Sequence, residues 1–467
     1  MSSKFSMESN VVIRRDAYLE TLQKSRLNGF VKIITGIRRC GKSFLLNTLY
    51  RQFLIEDGVD PSHIISIDLD DDDMKQLRNP LRLSEFVRQR VRRGKTPYYV
   101  FIDEIQRSQK VLPDDVDLSR IAPEDRDDAY VTFYDVLNGL RKLANVDLYV
   151  TGSNSKTLSK DIPTHFRDRG MQIQVRPLSF SEYLPVSGAD ADKNEAFSHY
   201  LIWGGMPVAV LENDDTERSS YLKSLFEEVY IKDIKERYGI KDDAAISAVL
   251  DVLSSDIGSL TNPHRIGNTM GSLLKLRVSD NTLKSYMDHL EDAFLFTKAH
   301  RYDVKGRKYI DSPCKYYSMD LGLRNARLNF RDTDMSHPME NAIYNELLLR
   351  GYNVDVGVVP IVSRKNGIKE TRQHEIDFIV NRGNDKVYIQ SALDLQSESK
   401  REQESLSLKR SGDFFRKVIV TGGQSQPMSD DDGIIHVGVI PFLLDRNILA
   451  ELMRETNKKT KPIHYSP

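Results

Sequence analysis

Short apolar runs alternate with longer amphipathic stretches along the first part of the chain. Each run has the length of a buried strand, and the stretches between the runs show helical spacing. Strands separated by helices of this length predict a parallel sheet covered on both faces, with all strand C-termini at one ligand-binding edge. The predicted strands are residues 30–34, 63–67, 97–102, 146–150 and 171–175, and the predicted helices between them include 43–53, 84–93 and 130–143.

A polar stretch over residues 107–128 interrupts this alternation. It is acidic and contains Pro113 and Pro123. Long segments without regular structure inside a domain are usually functional or mobile loops. The stretch therefore predicts a surface insertion between two strands of the sheet.

The middle of the chain is mostly helical. Apolar residues with a helical period predict a helix over 244–257, and residues that suit helix starts predict two more, from Asn262 and from Ser279. Two β-like runs follow, 294–302 and 315–319, joined by a basic loop. Three helices followed by a two-stranded ribbon are typical of a winged helix-turn-helix.

From about Ser336 the pattern returns to mixed α/β. Pro338 is expected to open a helix that Gly351 closes. Strands follow, and the turn-rich segment 381–385 predicts a hairpin between the first two of them. The predicted strands are residues 375–380, 386–391 and 417–421.

Charge and composition narrow the functional classes. Among the 467 residues, 67 Lys plus Arg balance 68 Asp plus Glu, so binding to nucleic acid or an acidic membrane has to come from a local patch. Two cysteines, Cys40 and Cys314, are too few for a disulfide framework or a four-thiolate zinc site and favour a reducing, cytoplasmic compartment. Apolar runs fall short of the ~20 residues that span a bilayer. We expect no secretory signal and no membrane partner.

The segment from Gly36 to Ser43 matches the phosphate-binding pattern G-x-x-x-x-G-K-[ST]. A predicted strand precedes it and a predicted helix follows, the context in which backbone N–H groups hold phosphates. Lys42 is expected to contact the β- and γ-phosphates of ATP, and Ser43 to ligate Mg²⁺. The alternative is a chance glycine-rich turn. The predicted ATP-binding residues are Gly36, Ile37, Arg38, Arg39, Cys40, Gly41, Lys42, Ser43 and Phe44.

Two adjacent carboxylates end the third predicted strand. Asp103 is expected to hold Mg²⁺ through its water shell, and Glu104 to orient and polarise the attacking water as the general base. A strand that simply runs into an acidic turn is the alternative. The acidic run 68–73 lacks the calcium-loop spacing, which favours a solvated loop over a cation site.

The fourth strand ends in the polar segment 151–155. The candidates for sensing the γ-phosphate are Asn154, which would then be a catalytic residue, and Ser153. The alternative is a turn in which Asn and Ser make only local hydrogen bonds. Arg167 and Arg169 precede the fifth strand. Either could stabilise charge during phosphoryl transfer, although surface arginines are the commoner outcome.

Several of these segments resemble a family of prokaryotic AAA-type P-loop ATPases. The resemblance implies an α/β fold with a P-loop NTPase parallel sheet, ATP binding at Gly36 to Ser43, and a Mg²⁺ and hydrolysis role for Asp103 and Glu104. It also implies a winged helix and a C-terminal domain of unknown function after the ATPase, giving domains at 1–225, 226–325 and 326–467. The segments are the phosphate-binding loop, Phe-Ile-Asp-Glu-Ile-Gln (101–106), Thr-Gly-Ser-Asn-Ser (151–155), Arg-Pro-Leu-Ser-Phe-Ser-Glu-Tyr (176–183), Gly-Gly-Met-Pro (204–207) and Lys-Tyr-Tyr-Ser-Met-Asp-Leu-Gly-Leu-Arg-Asn (315–325).

The C-terminal part resembles restriction-endonuclease-like domains. These place a helix Glu, a strand Asp and a Glu-x-Lys strand around metal ions. Glu340 and Asp377 match the first two positions, but Gln390 and Ala392 stand where the second carboxylate and the lysine belong. Since Gln lacks the charge and Ala cannot activate water, we expect a degenerate module without nuclease activity, and an active nuclease is the alternative.

Mg²⁺-dependent ATP hydrolysis that drives a conformational change in the C-terminal domains is the expected function. One alternative is a DNA-binding or DNA-processing protein with ATP as a switch, and another is a nucleotide-gated signalling or defence scaffold. Lys305, Arg307 and Lys308 on the predicted wing are candidates for DNA contacts, whereas the acidic third helix argues against them. The protein partner and the oligomeric state are open.

Overall fold

The computed structural model describes residues 12–92, 94–152, 169–331, 334–365 and 368–452. The chain forms two compact units, one up to Arg176 together with Asp292–Phe294, and one that comprises Pro177–Glu291 and the residues from Leu295 on. The division into three domains stays a prediction. Every helix in the described part of the chain is too short or too polar to cross a lipid bilayer.

The first unit is built on a five-stranded, fully parallel sheet, in the order β2-β3-β4-β1-β5. Its strands coincide with the five apolar runs, so the predicted parallel sheet is confirmed. The strands are β1 (Val31–Thr35), β2 (Ile64–Asp68), β3 (Tyr98–Asp103), β4 (Val146–Gly152) and β5 (Gly170–Gln174). The helices are α1 (Asp16–Lys24), α2 (Lys42–Phe44), α3 (Arg51–Glu56), α4 (Pro80–Arg90) and α5 (Phe133–Leu140), with a π-helical turn at Leu45–Tyr50 joining α2 to α3.

Local sequence explains where the connecting elements begin and end. Asn79 caps α4, with its Oδ1 accepting from the backbone N–H of Leu81 at 2.9 Å, and proline occupies the first helical position. Thr132 and Asp135 form a capping box at the start of α5. The predicted insertion 107–128, which is described throughout, contains short 3₁₀ turns and neither strand nor α-helix.

A buried ion pair lies at the N-terminal end of this sheet. Lys32 and Asp147 occupy the second positions of β1 and β4 and form an ion pair in which both side chains are almost fully buried. The Tyr149 hydroxyl donates to Asp147 Oδ2 at 2.6 Å, and the backbone N–H of Leu27 donates to the same oxygen at 2.9 Å. Because this end is opposite to the strand C-termini, the pair is structural.

The second unit combines many helices with one nine-stranded sheet, in the order β13-β14-β12-β11-β10-β9-β7-β8-β6. The helices are α6 (Phe180–Tyr183), α7 (Lys193–Trp203), α8 (Pro207–Leu211), α9 (Asp215–Ser224), α10 (Lys232–Tyr238), α11 (Asp243–Ser255), α12 (Pro263–Leu273), α13 (Asp280–Asp292), α14 (Leu321–Arg327), α15 (Ser336–Leu349), α16 (Glu398–Lys409) and α17 (Val439–Leu444). The strands are β6 (Leu260–Thr261), β7 (Phe296–Asp303), β8 (Lys308–Ser318), β9 (Asn353–Lys365), β10 (Ile368–Arg382), β11 (Asp385–Ala392), β12 (Arg416–Thr421), β13 (Met428–Ser429) and β14 (Ile435–Gly438).

The two regions that the sequence assigns to different domains share this sheet. The predicted ribbon is the antiparallel pair β7–β8, and β7 also pairs in parallel with β9 through Arg301–Val356, Tyr302–Gly357 and Asp303–Val358. The predicted hairpin at 381–385 joins β10 to β11. One sheet therefore runs continuously from β6 to β13.

Asp320 organises the glycine-rich segments of the second unit. Its carboxylate is fully buried and accepts from the backbone N–H of Gly205 at 2.7 Å and of Leu323 at 2.9 Å. A Cβ atom on Gly322 would lie 2.0 Å from the carbonyl oxygen of Trp203, so this position needs glycine. Burial raises the pKa of Asp320 to about 6, and the backbone N–H groups oppose that rise.

Candidate functional site

The loop between β1 and α2 has the backbone geometry of a phosphate cradle. Gly36 and Gly41 have φ angles of +145° and +95°, which favour glycine, and Arg39 is left-handed at +61°. A Cβ atom on Gly36 would lie 2.1 Å from the carbonyl oxygen of Val175, so a larger residue would push the loop away from β5. The loop therefore holds its backbone tightly against the end of the sheet.

Lys42 is enclosed by this loop. Its side chain is buried, and the Nζ atom donates to the carbonyl oxygens of Gly36 and Ile37 at 3.1 Å each. Cys40 is also buried, whereas Ser43 and Phe44 are exposed at the start of the helix. The ammonium is thus held within the cradle, and Ser43 next to it is exposed to solvent.

Asp103 ends β3 as a buried carboxylate with several donors around it. The Thr151 hydroxyl and the backbone N–H of Glu104, at 3.1 Å, donate to Asp103 Oδ1. Asn47 Nδ2 donates to Asp103 Oδ2 at 3.4 Å. Because β4 alone separates β3 from β1, the sheet brings the acidic strand end and the phosphate loop to the same edge.

Glu104 follows in an unusual backbone conformation. Its φ angle is +51°, in the left-handed region that costs free energy for a residue other than glycine. Its backbone N–H also donates to Thr151 Oγ1 at 3.1 Å, and its carboxylate accepts from Gln106 Nε2. Glu104 is half-buried and directly follows the end of β3.

The sequence analysis did not assign two residues of this site, Thr151 and Asn47. Thr151 lies in the polar segment at the end of the fourth strand. Its hydrogen bond to Asp103, 48 residues earlier, forms because β3 and β4 are neighbours in the sheet, and the sequence alone does not give this strand order. Asn47 comes four residues after Ser43, the spacing that places two side chains on one helix face, and this spacing could have revealed it. Its Oδ1 atom is buried and has no hydrogen-bond partner among the described residues.

Other predicted residues are not brought into the site. Ser153, Asn154 and Arg167 lie outside the described residues. Arg169 is exposed, and its carbonyl oxygen accepts from Val31 N–H at 3.0 Å next to the β1–β5 ladder. In the acidic run after β2, the exposed Asp70 is 2.9 Å from Arg107, which agrees with a solvated loop.

These residues fit ATP and Mg²⁺. The loop between β1 and α2 contains both backbone N–H groups and the Lys42 ammonium, the two kinds of group that hold a polyphosphate in such loops. Carboxylate and hydroxyl oxygens, the ligands that Mg²⁺ prefers, come from Asp103 and Ser43. The unpartnered Asn47 Oδ1 atom adds a further oxygen beside Asp103.

A family model described as an AAA domain matches residues 28–184, which include all of these groups. Residues 28–184 form a P-loop domain of the AAA type, in agreement with their parallel sheet. A second model, a domain of unknown function (DUF8612), matches residues 194–334, after the AAA domain.

Two proteins described as uncharacterized are similar to most of the chain. The chain is 29% identical over 439 residues to an uncharacterized protein of Haemophilus influenzae, covering 93% of this chain and 100% of that protein. It is 24% identical over 407 residues to the uncharacterized protein MJ1544 of Methanocaldococcus jannaschii, covering 84% and 80%. Among solved structures, the Aeropyrum pernix ORC1 protein in complex with DNA is similar at 13% identity and a TM-score of 0.27, covering 69% of this chain and 94% of that chain.

The predicted nuclease-like residues fall in the second unit. Glu340 on α15 and Asp377 on β10 lie close together, and each contacts the ammonium of Lys315. Gln390 accepts a hydrogen bond from the Asp377 backbone N–H at 3.3 Å, and Ala392 is buried in an apolar cluster. No sequence argument had placed Lys315 in this group.

Proposed function

We propose that the AAA domain binds ATP with Mg²⁺ and hydrolyses it, with Glu104 as the general base. The observation that carries the proposal is the joint position of the Lys42 cradle and the Asp103–Glu104 strand end at one sheet edge. A binding-only domain has no need of a second carboxylate there. Glu104, displaced from the strand by its left-handed backbone, suits a role in activating water.

Each residue has a defined task in this proposal. Lys42 and the loop N–H groups hold the β- and γ-phosphates, and Glu104 takes the proton of the attacking water. Ser43 and Asp103 would hold Mg²⁺, which when bound neutralises phosphate charge. Thr151 and Asn47 fix the Asp103 carboxylate through hydrogen bonds. Asn154 stays the proposed γ-phosphate sensor.

We further propose that hydrolysis is coupled to a conformational change in the second unit, and that this change acts on a partner protein. The helices α11, α12 and α13 followed by the β7–β8 pair support the presence of a winged helix.

The DNA-switch alternative has weaker support. A DNA-reading helix exposes Lys and Arg toward phosphates. On α13 the exposed face carries Asp280 and Asp288 beside Lys284. In the β7–β8 loop, Lys305 Nζ donates to the carbonyl oxygen of Pro360 at 3.0 Å, so it is engaged within the unit.

Nucleotide binding and ATP turnover of four proteins test the proposal. Lys42→Ala should weaken ATP binding by about ten- to a hundredfold, because charge-assisted hydrogen bonds are lost. Glu104→Gln should keep ATP binding and slow hydrolysis by about 10²-fold or more. Asp68→Asn is the matched control, since Asp68 ends the neighbouring strand in register with Asp103 but is exposed, and it should hydrolyse ATP like the wild type.

Single- and double-stranded DNA added to the same assay separates the alternatives. The ATPase proposal expects turnover that depends on Glu104 with or without DNA. Near-normal turnover in Glu104→Gln would refute the assignment of the base. Turnover that requires DNA would favour the DNA-switch alternative instead.

A further inference from the structure

The second unit buries a lysine ammonium among three carboxylates. Lys315, on β8, is 3% exposed. Its Nζ atom lies 2.9 Å from Glu340 Oε1, 2.6 Å from Glu375 Oε1 and 3.3 Å from Asp377 Oδ1. Since an ammonium has three N–H donors, each can point to a different carboxylate, and none is left for another partner.

Neighbouring groups fix these carboxylates in place. The Tyr317 hydroxyl donates to Glu340 Oε1 at 2.6 Å, and the backbone N–H of Ser391 donates to Asp377 Oδ2 at 2.9 Å. Gln390 accepts from the Asp377 backbone N–H at 3.3 Å. Gln390 therefore acts as a hydrogen-bonding bridge between strands and leaves the side-chain oxygens of Asp377 to other partners.

The charges keep the ammonium protonated. Although burial alone would lower the pKa of Lys315, the attraction of Glu340, Asp377 and Glu375 raises it well above its usual value. Burial, with repulsion from Glu340, raises the pKa of Asp377 to about 6, while Lys315 opposes the rise.

The donor set does not fit the metal ion that a restriction-endonuclease-like fold implies. Glu340 and Asp377, the residues at the expected metal-ligand positions, both direct an oxygen at the ammonium. Ala392, at the position of the expected lysine, is buried in the apolar cluster with Leu408 and Ile419. Within the described ranges, no group of His, Cys, Asp and Glu side chains is arranged to hold a metal ion.

We propose that Lys315 is a built-in cation that takes the place of the metal ion in this nuclease-like centre and closes it to divalent cations. The lysine comes from the β7–β8 ribbon, whereas the carboxylates come from α15 and β10. The ammonium therefore also links the ribbon to the strands after it. This inference concerns the second unit and does not depend on ATP hydrolysis.

Titration with Mn²⁺, followed by electron paramagnetic resonance of the free ion, tests the proposal. All proteins carry Asp103→Asn and contain no nucleotide, so that the AAA domain lacks its proposed Mg²⁺-ligating carboxylate. Protein that keeps Lys315 is expected to leave Mn²⁺ free. Lys315→Met should bind Mn²⁺ at least about tenfold more tightly, because the carboxylates lose their internal cation. Adding Asp377→Asn to Lys315→Met should abolish this binding.

Matched variants make the result specific. Lys308→Met removes an exposed lysine from the start of the same strand and should leave Mn²⁺ free. If Lys315→Met does not fold, the double variant Lys315→Met/Glu375→Gln replaces it. This variant removes the cation together with one carboxylate and so leaves less unbalanced negative charge buried. Mn²⁺ binding that depends on Asp377 in protein with Lys315 overturns the proposal. Unchanged, weak binding in the folded variants that lack Lys315 overturns it as well.

Discussion

Thr151 links the two carboxylate residues of the nucleotide site through one hydroxyl. Its Oγ1 atom donates to Asp103 and accepts from the backbone N–H of Glu104 at 3.1 Å. The residue is completely buried at the end of β4, between the strand that carries the phosphate loop and the strand that carries the acids. The Asp103 carboxylate and the Glu104 backbone are thus both held by a residue that is not expected to touch the nucleotide.

We predict that Thr151→Val slows ATP hydrolysis while ATP affinity stays near that of the wild type. Valine keeps the shape of threonine but leaves the Asp103 oxygen and the Glu104 N–H without this partner, and we expect turnover to fall by about tenfold. Steady-state kinetics together with nucleotide titration measure the two effects separately. Thr261→Val, a buried threonine of the second unit, is the control and should leave turnover unchanged.

Equal losses of affinity and turnover in Thr151→Val would show that the valine disrupts the whole loop. Wild-type kinetics would show that the hydroxyl has no positioning role. Rescue by Thr151→Ser, which restores the hydroxyl on a smaller side chain, would separate the hydrogen bond from packing.

At the scale of elements, Asp320 ties the start of α14 to the glycine-rich turn after α7. Both oxygens of the carboxylate accept backbone N–H groups, from Gly205 and Leu323. The turn and the helix start approach so closely that a side chain at Gly322 would collide with the Trp203 carbonyl oxygen. The Gly-Gly-Met-Pro and Asp-Leu-Gly-Leu segments therefore form one packed junction.

The raised pKa of Asp320 predicts a specific pH dependence of stability. Its pKa is about 6 in the folded protein, above the value of 3.8 for an unperturbed aspartate, so folding favours the protonated form. The stabilising contribution is fully present below pH 3.8 and is lost as the pH rises through about 6. Across that range, the loss in free energy of unfolding is on the order of 2–3 kcal/mol.

Urea unfolding at several pH values, compared between wild type and Asp320→Asn, isolates this contribution. The variant cannot titrate at this position, so the wild type minus variant difference in free energy of unfolding should fall between pH 4 and pH 7. A difference that stays constant or grows with pH would contradict a raised pKa. Asp432→Asn, which changes an exposed carboxylate of the same unit, serves as the control.

Local patterns predicted the elements better than they predicted their pairing. Apolar runs predicted all five strands of the first unit. Three of them, β1, β3 and β4, are buried at every position, and strands buried on both faces are rich in apolar residues along their whole length. Strand β9 was missed, and β10 is longer than predicted. Both extend into the polar segment around residues 363–373, where apolar spacing gives no indication of a strand.

The sequence predicted those residues of the candidate site that belong to one continuous motif. Gly36 to Ser43 form the loop and helix start directly after β1, and Asp103–Glu104 lie at the end of β3. Lys315 was unpredictable, because its carboxylate partners are 25 to 62 residues away in sequence and only the β8, α15 and β10 packing brings them together. Sequence spacing cannot reveal a contact that depends on strand order.

At the scale of the whole molecule, the charges nearly cancel. The net charge is −1 at neutral pH and the isoelectric point is about 6.8. Molecules with little net charge repel one another weakly, which promotes association. We predict that solubility at low salt is lowest near pH 6.8 and rises toward pH 8.5.

Precipitation with polyethylene glycol over a pH series measures this solubility. Lys24→Glu/Lys75→Glu changes two exposed lysines of the first unit and should move the minimum to lower pH. A minimum that does not move would show that a specific association, and not the net charge, limits solubility.

The parallel pairing of β7 with β9 has a practical consequence for anyone who trims this gene for expression. A fragment that starts at residue 326 would lack β7. The backbone N–H and C=O groups of β9 at Val356–Val358 that face β7 would then have no strand to pair with. Such edges recruit other chains and cause inclusion bodies. Cloning boundaries placed before α11 keep the ribbon with the strands that complete it.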